Sequence, residues 1–337
     1  MTGAPAAVGH KRKGPPSHTS GDSFDSVSSR RQPAGKKQKA SVGVATDRGG
    51  KANQEDAYVI GGNAAPRLTL NGYANATVGC FGVFDGHGGD RASRYCAEHV
   101  FAKIQDEIDM NVTVDAAITT AVRAVDAEFC TIARRSSHPD LERAAAFQRG
   151  LPGQTFRSFA MEDGSTCLIS IIRHGMLYVG NVGDSRAIIC TRKGKPVCLS
   201  NDQKPNRKDE RARLEAKGAH VTGSPSFLYH VWPINKLIDV PRVNGALAMS
   251  RSIGDLSLKP WITCDPEITT HELTADDQFL ILATDGLWDV VSSKAAAKTA
   301  AAYDDPQQAA DALVKLALAR KTLDNITVIV VDISSYR

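Results

Sequence analysis

The sequence predicts an α+β domain with antiparallel sheets, on three observations. Short β-branched or apolar runs arrive in groups, helix-period stretches arrive in pairs, and regular strand–helix alternation is missing. The last of these argues against a doubly wound parallel sheet. In chain order the expected strands are residues 41–46, 78–84, 166–173, 176–179, 186–190, 279–284 and 326–331, bounded by Gly, Asp and Asn. A first helix is expected from Gly88 to about Ile108. A second places Val114, Ile118, Val122, Val125 and Phe129 on one face, and a third, after Pro306, does the same with Ala309, Leu313, Leu316 and Ala317. His174-Gly175 and Lys193-Gly194 read as hairpin links. Residues 61–76 and 137–164, rich in Gly, Pro and Arg, read as surface insertions.

The 337 residues leave room for one large domain or two average ones. With 42% hydrophobic and 23% charged residues, the chain is neither wholly disordered nor fibrous. No run approaches the ~18 apolar residues of a membrane span, and residues 1–10 lack the apolar core of a secretory signal. No membrane contact is therefore expected. The net charge of +4 conceals an asymmetry: residues 1–40 hold eight Lys/Arg against two Asp, so the remainder is slightly acidic. A nucleic-acid-binding body is not supported, since that needs clustered cations on the domain. Residues 1–40 lack a hydrophobic period and are expected to form a disordered basic tail, with the domain in 41–337. Lys11-Arg12-Lys13, Arg30-Arg31 and Lys36-Lys37-Gln38-Lys39 resemble a nuclear-import signal. They point to an import receptor as partner through 11–39, and to the nucleus, the cytoplasm or both. The seven cysteines are scattered with no C-x-x-C pair and read as small core residues of a monomer in a reducing compartment.

Carboxylates beside glycines at strand ends carry the chemistry. They are Glu55-Asp56, Asp85-Gly86-His87-Gly88-Gly89, Gly183-Asp184-Ser185-Arg186, Gly254-Asp255, Asp285-Gly286-Leu287-Trp288-Asp289 and Asp324-Asn325. One Asp-Gly pair is ordinarily a turn. Here Asp85 and Asp285 each follow a strongly apolar run, and Asp324-Asn325 directly precedes another. An ionised carboxylate at the end of a buried strand costs several kcal/mol unless a cation or hydrogen bonds compensate. Several such groups brought together repel. A hard divalent cation relieves both costs, and Mg²⁺ or Mn²⁺ suits an oxygen set with no Cys and one His better than Zn²⁺ does.

These segments resemble the metal-dependent Ser/Thr protein phosphatases, the type 2C or PPM family. The matching segments are Lys51-Ala-Asn-Gln-Glu55-Asp56, Phe84-Asp85-Gly86-His87-Gly88-Gly89, Asp163-Gly-Ser-Thr166, Gly180-Asn-Val-Gly-Asp184-Ser-Arg186, Leu199-Ser-Asn-Asp202-Gln-Lys-Pro205, Leu247-Ala-Met-Ser-Arg-Ser-Ile-Gly254-Asp255, Ala283-Thr-Asp285-Gly-Leu-Trp-Asp289 and Asp324-Asn325-Ile-Thr-Val. Their order spans residues 41–337. The resemblance implies an αββα sandwich: two facing antiparallel sheets with a helical pair on each outer side. It implies hydrolysis of phosphoserine and phosphothreonine proteins by a metal-activated water, without a covalent intermediate.

By the same resemblance, two Mg²⁺ or Mn²⁺ ions share Asp85. Asp285 and Asp324 complete one site, Glu55 and the main-chain carbonyl of Gly86 the other, and Asp56 orders metal-bound water. Asp184 and Asp289, with Asp285, resemble a third, weaker metal site. His87 is expected to protonate the leaving alkoxide. The family carries Arg where Lys51 stands, so substrate phosphate meets a point charge without the bidentate fork, and weaker binding is expected. Arg48 is an alternative phosphate ligand. Residues 202–244 are expected to form a flap beside the site, with a charged helix at 206–217 and an irregular loop at 224–243. A pseudo-phosphatase that keeps the fold as a binding module is the second reading, supported by Lys51 alone.

Overall fold

A computed structural model of the protein describes residues 41–61, 78–136, 162–223 and 240–337. The basic segment 1–40, most of the two expected insertions and most of the expected loop at 224–243, with Tyr229, Trp232 and Pro233, lie outside them. The first strands are β1 (Val42–Asp47), β2 (Ala57–Gly61), β3 (Gly79–Phe84) and the two-residue β4 (Gly86–His87). The helical pair α1 (Arg91–Asp109) and α2 (Val114–Ser136) follows. Next come β5 (Gly164–Ser165), β6 (Cys167–Arg173), β7 (Met176–Val182), β8 (Arg186–Thr191) and β9 (Pro196–Cys198). Helix α3 (Lys208–Ala216) and the short β10 (Ile253–Gly254) precede β11 (Glu267–Glu272) and β12 (Asp277–Ala283). The chain continues through α4 (Asp285–Trp288), α5 (Ser293–Ala300), α6 (Pro306–Ala319) and β13 (Ile326–Asp332).

Two five-stranded sheets result, ordered β1-β13-β12-β8-β9 and β11-β7-β6-β3-β2, with a third sheet of β10-β5-β4. Every pairing within them is antiparallel. Side chains alternate along a strand, so a strand between two apolar layers reads as a continuous apolar run. In β12, Phe279, Ile281 and Ala283 pack with α4, α5 and α6, while Leu280 and Leu282 meet Phe81, Val83 and Leu168 of the opposite sheet. In β3, Cys80 and Phe84 turn the other way, onto Val100, Ile104, Ile118 and Val122 of α1 and α2. The layers are therefore helices, sheet, sheet, helices. Each large side chain fully removed from water in this core stabilises it by about 1.5–3 kcal/mol.

The expected strands all form, with ends shifted by a few residues. Strands β2, β9, β11 and the two-residue strands were not legible. β11 (Glu267–Glu272) is a polar edge strand with alternating exposure, so no apolar run marks it. The link His174-Gly175 is a two-residue hairpin turn with φ of 50° and 73°, the primed geometry that matches strand twist. One expectation is corrected: the insertion at 137–164 overreaches. Asp163 is buried and Gly164-Ser165 is a buried strand of the third sheet, because the chain has already returned to the core there. The charged helix expected at 206–217 forms over Lys208–Ala216. Residues Leu214, Val221, Val243, Leu247, Met249 and Ile262 form a small core of their own beneath it. Five of the seven cysteines are buried. Among the described residues no helix is long and apolar enough to cross a membrane.

Candidate active site

Register brings the acidic residues to one end of the sandwich. Ala57 pairs with Phe84, which sets Glu55-Asp56 beside Asp85. Ala283 pairs with Val328 on one side and Arg186 on the other, so the approaches to Asp285, Asp324 and Asp184 lie together. Asp47 pairs with Ile326, which lays the loop from Arg48 to Gln54 over the same end. Asn325 fastens that loop. Its Nδ2 donates to the carbonyls of Arg48 and Asn53, both at 2.9 Å, and its Oδ1 accepts from Glu55 N at 2.8 Å. Thr166 does the same for Asp85: Asp85 N–H donates to Thr166 Oγ1, and Thr166 N–H donates back to the Asp85 carbonyl, both at 2.9 Å.

The electrostatics record the convergence. Burial lifts the Asp85 pKa well above the carboxylate range, and the charges of Asp56, Asp285, Asp184 and Asp324 lift it further. Asp285 is raised by burial, then by Asp184 and Asp289, against a lowering by Lys204. Burial raises Asp56 to about 6, although Thr327 Oγ1 and Thr284 Oγ1 donate to its Oδ2 at 2.7 and 3.1 Å. Asp56 Oδ1 and Asp184 Oδ1 are buried and without a hydrogen-bond partner among the described residues. Gly86 is held so close that a Cβ there would stand 2.3 Å from the Glu55 carbonyl, so the backbone itself enters the site. Mutually repelling carboxylates, orphaned buried oxygens and an entering main chain form an all-oxygen donor set. A hard divalent ion fits it.

Two lysines already bring positive charge to it. Lys51 Nζ lies 2.7 Å from Asp324 Oδ1. Burial would lower the Lys51 pKa, but Asp324 in direct contact, with Asp85 and Glu55, outweighs burial and raises it. Arg48 instead turns back on its own loop, donating to the Ala52 carbonyl at 3.1 Å. Lys204 Nζ lies 2.5 Å from Asp184 Oδ2 and 3.7 Å from Asp285 Oδ2. It also feels Asp289, so the set expected to resemble a third metal site has an ammonium among its carboxylates. Sequence reasoning assigned Lys204 no role. Its place beside Pro205 in the Asp202-Gln-Lys-Pro205 segment was the available signal.

His87 Nε2 lies 2.8 Å from Asp255 Oδ2. Burial would lower the imidazole pKa; Asp255, aided by Asp184 and Glu55, outweighs it and raises the group. Asp255 too went unassigned, although Gly254-Asp255 was among the carboxylate–glycine pairs. Arg186 anchors the neighbouring loop, donating to Asp202 Oδ1 and Oδ2 at 2.8 and 2.6 Å while lying 5.1 Å from the Trp288 ring centre.

A second acidic cluster was not expected. Among the described residues, Asp209, Glu210 and Glu267 bring carboxylate oxygens within 4.8 Å of one another. Asp85, Asp285 and Asp324 are grouped more loosely. Arginines already neutralise the trio: Arg213 and Arg251 pair with Glu210 at 2.8 and 2.7 Å, Arg207 takes Asp209 at 2.8 Å, and both Arg207 and Arg251 bind Glu267. It is an ion network that joins α3 to Arg251 and Glu267.

The protein-family model described as Protein phosphatase 2C matches residues 41–326. The chain belongs to the protein phosphatase 2C family. It is 36% identical over 291 residues to "Probable protein phosphatase 2C 7" of Oryza sativa subsp. japonica, covering 86% of this chain and 65% of that one. Against "Probable protein phosphatase 2C 52" of the same organism, identity is 35% over 291 residues, covering 86% of this chain and 50% of that one. This family member thus spans from half to just under two thirds of these relatives' length. Its fold matches the crystal structure of a serine-threonine phosphatase 2C from Toxoplasma gondii with a TM-score of 0.65 at 24% identity, over 86% of this chain and 94% of that one.

Proposed function

We propose that this protein is a metal-dependent phosphatase of phosphoserine and phosphothreonine proteins. The observation that carries the reading is the gathering of Asp56, Asp85, Asp184, Asp285 and Asp324 into one field of like charge, beside Lys51 and His87. Glu55, Asp85, the Gly86 carbonyl, Asp285 and Asp324 would hold two Mg²⁺ or Mn²⁺ ions, and Asp184 and Asp289 a third. Ions bound there supply Lewis acidity toward the phosphoryl oxygens and lower the pKa of water. The protein's own groups do the rest. Lys51 offers the substrate phosphate a positive charge beside Asp324. The threonine hydroxyls on Asp56 Oδ2 leave its Oδ1 to accept a hydrogen bond from water at the site. His87 supplies the proton to the leaving alkoxide.

The test is hydrolysis of a phosphoserine peptide by the chelator-treated chain with and without added Mn²⁺. Mn²⁺-dependent turnover, lost in Asp85→Ala and Asp285→Ala, supports the reading. Turnover that survives both substitutions sinks the metal mechanism, and a folded chain inert with Mn²⁺ is the pseudo-phosphatase.

Nuclear entry is a further part of the proposal, supported by the basic clusters between residues 11 and 39. Residues 1–40 fused to a reporter should concentrate it in the nucleus, and neutralising Lys11-Arg12-Lys13 and residues 36–39 should abolish that. A reporter that stays cytoplasmic with the clusters intact refutes import. The phosphatase is expected to act as a monomer.

A further inference from the structure

We propose that Asp255 is the positioning residue for His87, holding the imidazole by Nε2 so that Nδ1 delivers the proton to the leaving seryl or threonyl oxygen. This rests on the phosphatase reading above. An ionised carboxylate only accepts hydrogen bonds, so the 2.8 Å contact puts a hydrogen on His87 Nε2. Nδ1 of the same ring is buried and has no partner among the described residues. One nitrogen is committed and the other is left open. A buried imidazole nitrogen without a partner costs free energy, which a purely structural histidine has no reason to carry.

The third sheet is built around this pair. β4 carries His87, β10 ends at Gly254 just before Asp255, and β5 lies between them, with Gly164 paired to both His87 and Gly254. A Cβ on Gly164 would lie 2.2 Å from Asp255 Oδ2 and 2.3 Å from His87 Nε2, so the backbone closes over the hydrogen bond and leaves room only for glycine. Asp255 is itself fixed from three directions. Ser252 Oγ donates to its Oδ2 at 2.5 Å, its N–H donates to the Asp163 carbonyl at 2.9 Å, and its backbone sits at a left-handed φ of 46°. The residue is 3% exposed, so little solvent competes for it. Asp163 is held in turn by Arg91 at 2.5 Å.

In the proposed step the P–O bond to the seryl oxygen breaks with its electron pair on that oxygen. His87 Nδ1–H gives that oxygen a proton, and the ring regains one from solvent. Water oxygen forms the new P–O bond and releases its proton to solvent. A phosphoserine peptide needs the delivered proton. p-Nitrophenyl phosphate does not, because p-nitrophenolate leaves as a stable anion.

Asp255→Asn keeps the shape and suits a left-handed backbone. In the full chain with Mn²⁺, kcat on the phosphoserine peptide should fall at least roughly tenfold, a part of the roughly 10²–10⁴-fold that general acid catalysis contributes, with KM unchanged. On p-nitrophenyl phosphate the loss should stay under about threefold. On the peptide, the double variant with His87→Ala should be no slower than His87→Ala alone. Ser252→Ala, which removes one hold on the carboxylate, should show the same substrate split with a smaller loss. Equal losses on both esters, or additive losses with His87→Ala, overturn the inference and leave the phosphatase reading standing. A wild-type chain that hydrolyses neither ester with Mn²⁺ overturns that reading, and the inference with it.

Discussion

At Asp85 the proposed metal binding works against the stability of the metal-free fold. Its carboxylate is buried and repelled by four others, so without a cation it weakens the fold it sits in. Asp85→Asn should therefore raise the melting temperature of the metal-free chain by a few degrees, equivalent to about 1–2 kcal/mol, while abolishing the rise produced by Mn²⁺. Paired melts with and without Mn²⁺ check both halves, and a lower metal-free melting temperature in the variant would refute the charge argument. Lys51 makes a different trade. Its ammonium holds Asp324 at 2.7 Å but lacks the two-pronged geometry that phosphate favours. Lys51→Arg should lower KM for p-nitrophenyl phosphate several-fold; an unchanged KM would mean Lys51 is not the phosphate ligand.

Helix α3 depends on charge more than on apolar packing. Only Glu210 and Leu214 of its nine residues are buried. Burial would raise the Glu210 pKa, but hydrogen bonds from Arg251, Arg213 and Ser250 outweigh it and pull the carboxyl down to about 2. A depressed folded-state pKa contributes stability that is present above the unfolded value, near 4.5, and is lost as pH falls toward 2. Denaturant unfolding should show a loss over that window in the wild type. Glu210→Gln should be less stable at pH 7 by about 3 kcal/mol and should lose much of this acid sensitivity, because two arginines lose their buried counter-charge. Equal pH profiles would show that Glu210 does not carry the effect. The network also ties α3 to β11 through Arg251 and Glu267, which makes a polar edge strand part of the helix's support.

The three apolar layers of the sandwich draw on residues from Val42 onward, and the family match begins at residue 41. Removal of residues 1–40 should therefore leave the melting temperature within about 1 °C and kcat unchanged, altering only where the protein accumulates. A clear loss of stability would place part of that segment in the fold. The same layering sets the proposed site apart from the apolar core. The carboxylates occupy strand ends, outside the apolar layers, where substitution removes chemistry without opening the core.

The chain's pattern was enough to place the inner strands, helices α1, α2, α3 and α6 but not α5, and the carboxylates that converge at one end of the sandwich. Buried strands such as β3, β12 and β13 announce themselves as unbroken apolar runs, and Asp85, Asp285 and Asp324 stand out because they interrupt those runs at their ends. Partnership was not legible. Asp255 lies 168 residues from His87, and only the register of three two-residue strands brings them to 2.8 Å. Lys204, the Asn325 clasp and the arginine-bound trio were invisible for the same reason. A hydrophobic period records which face of an element is buried, whereas a hydrogen bond or ion pair between distant segments leaves no periodic trace and exists only once the chain has folded.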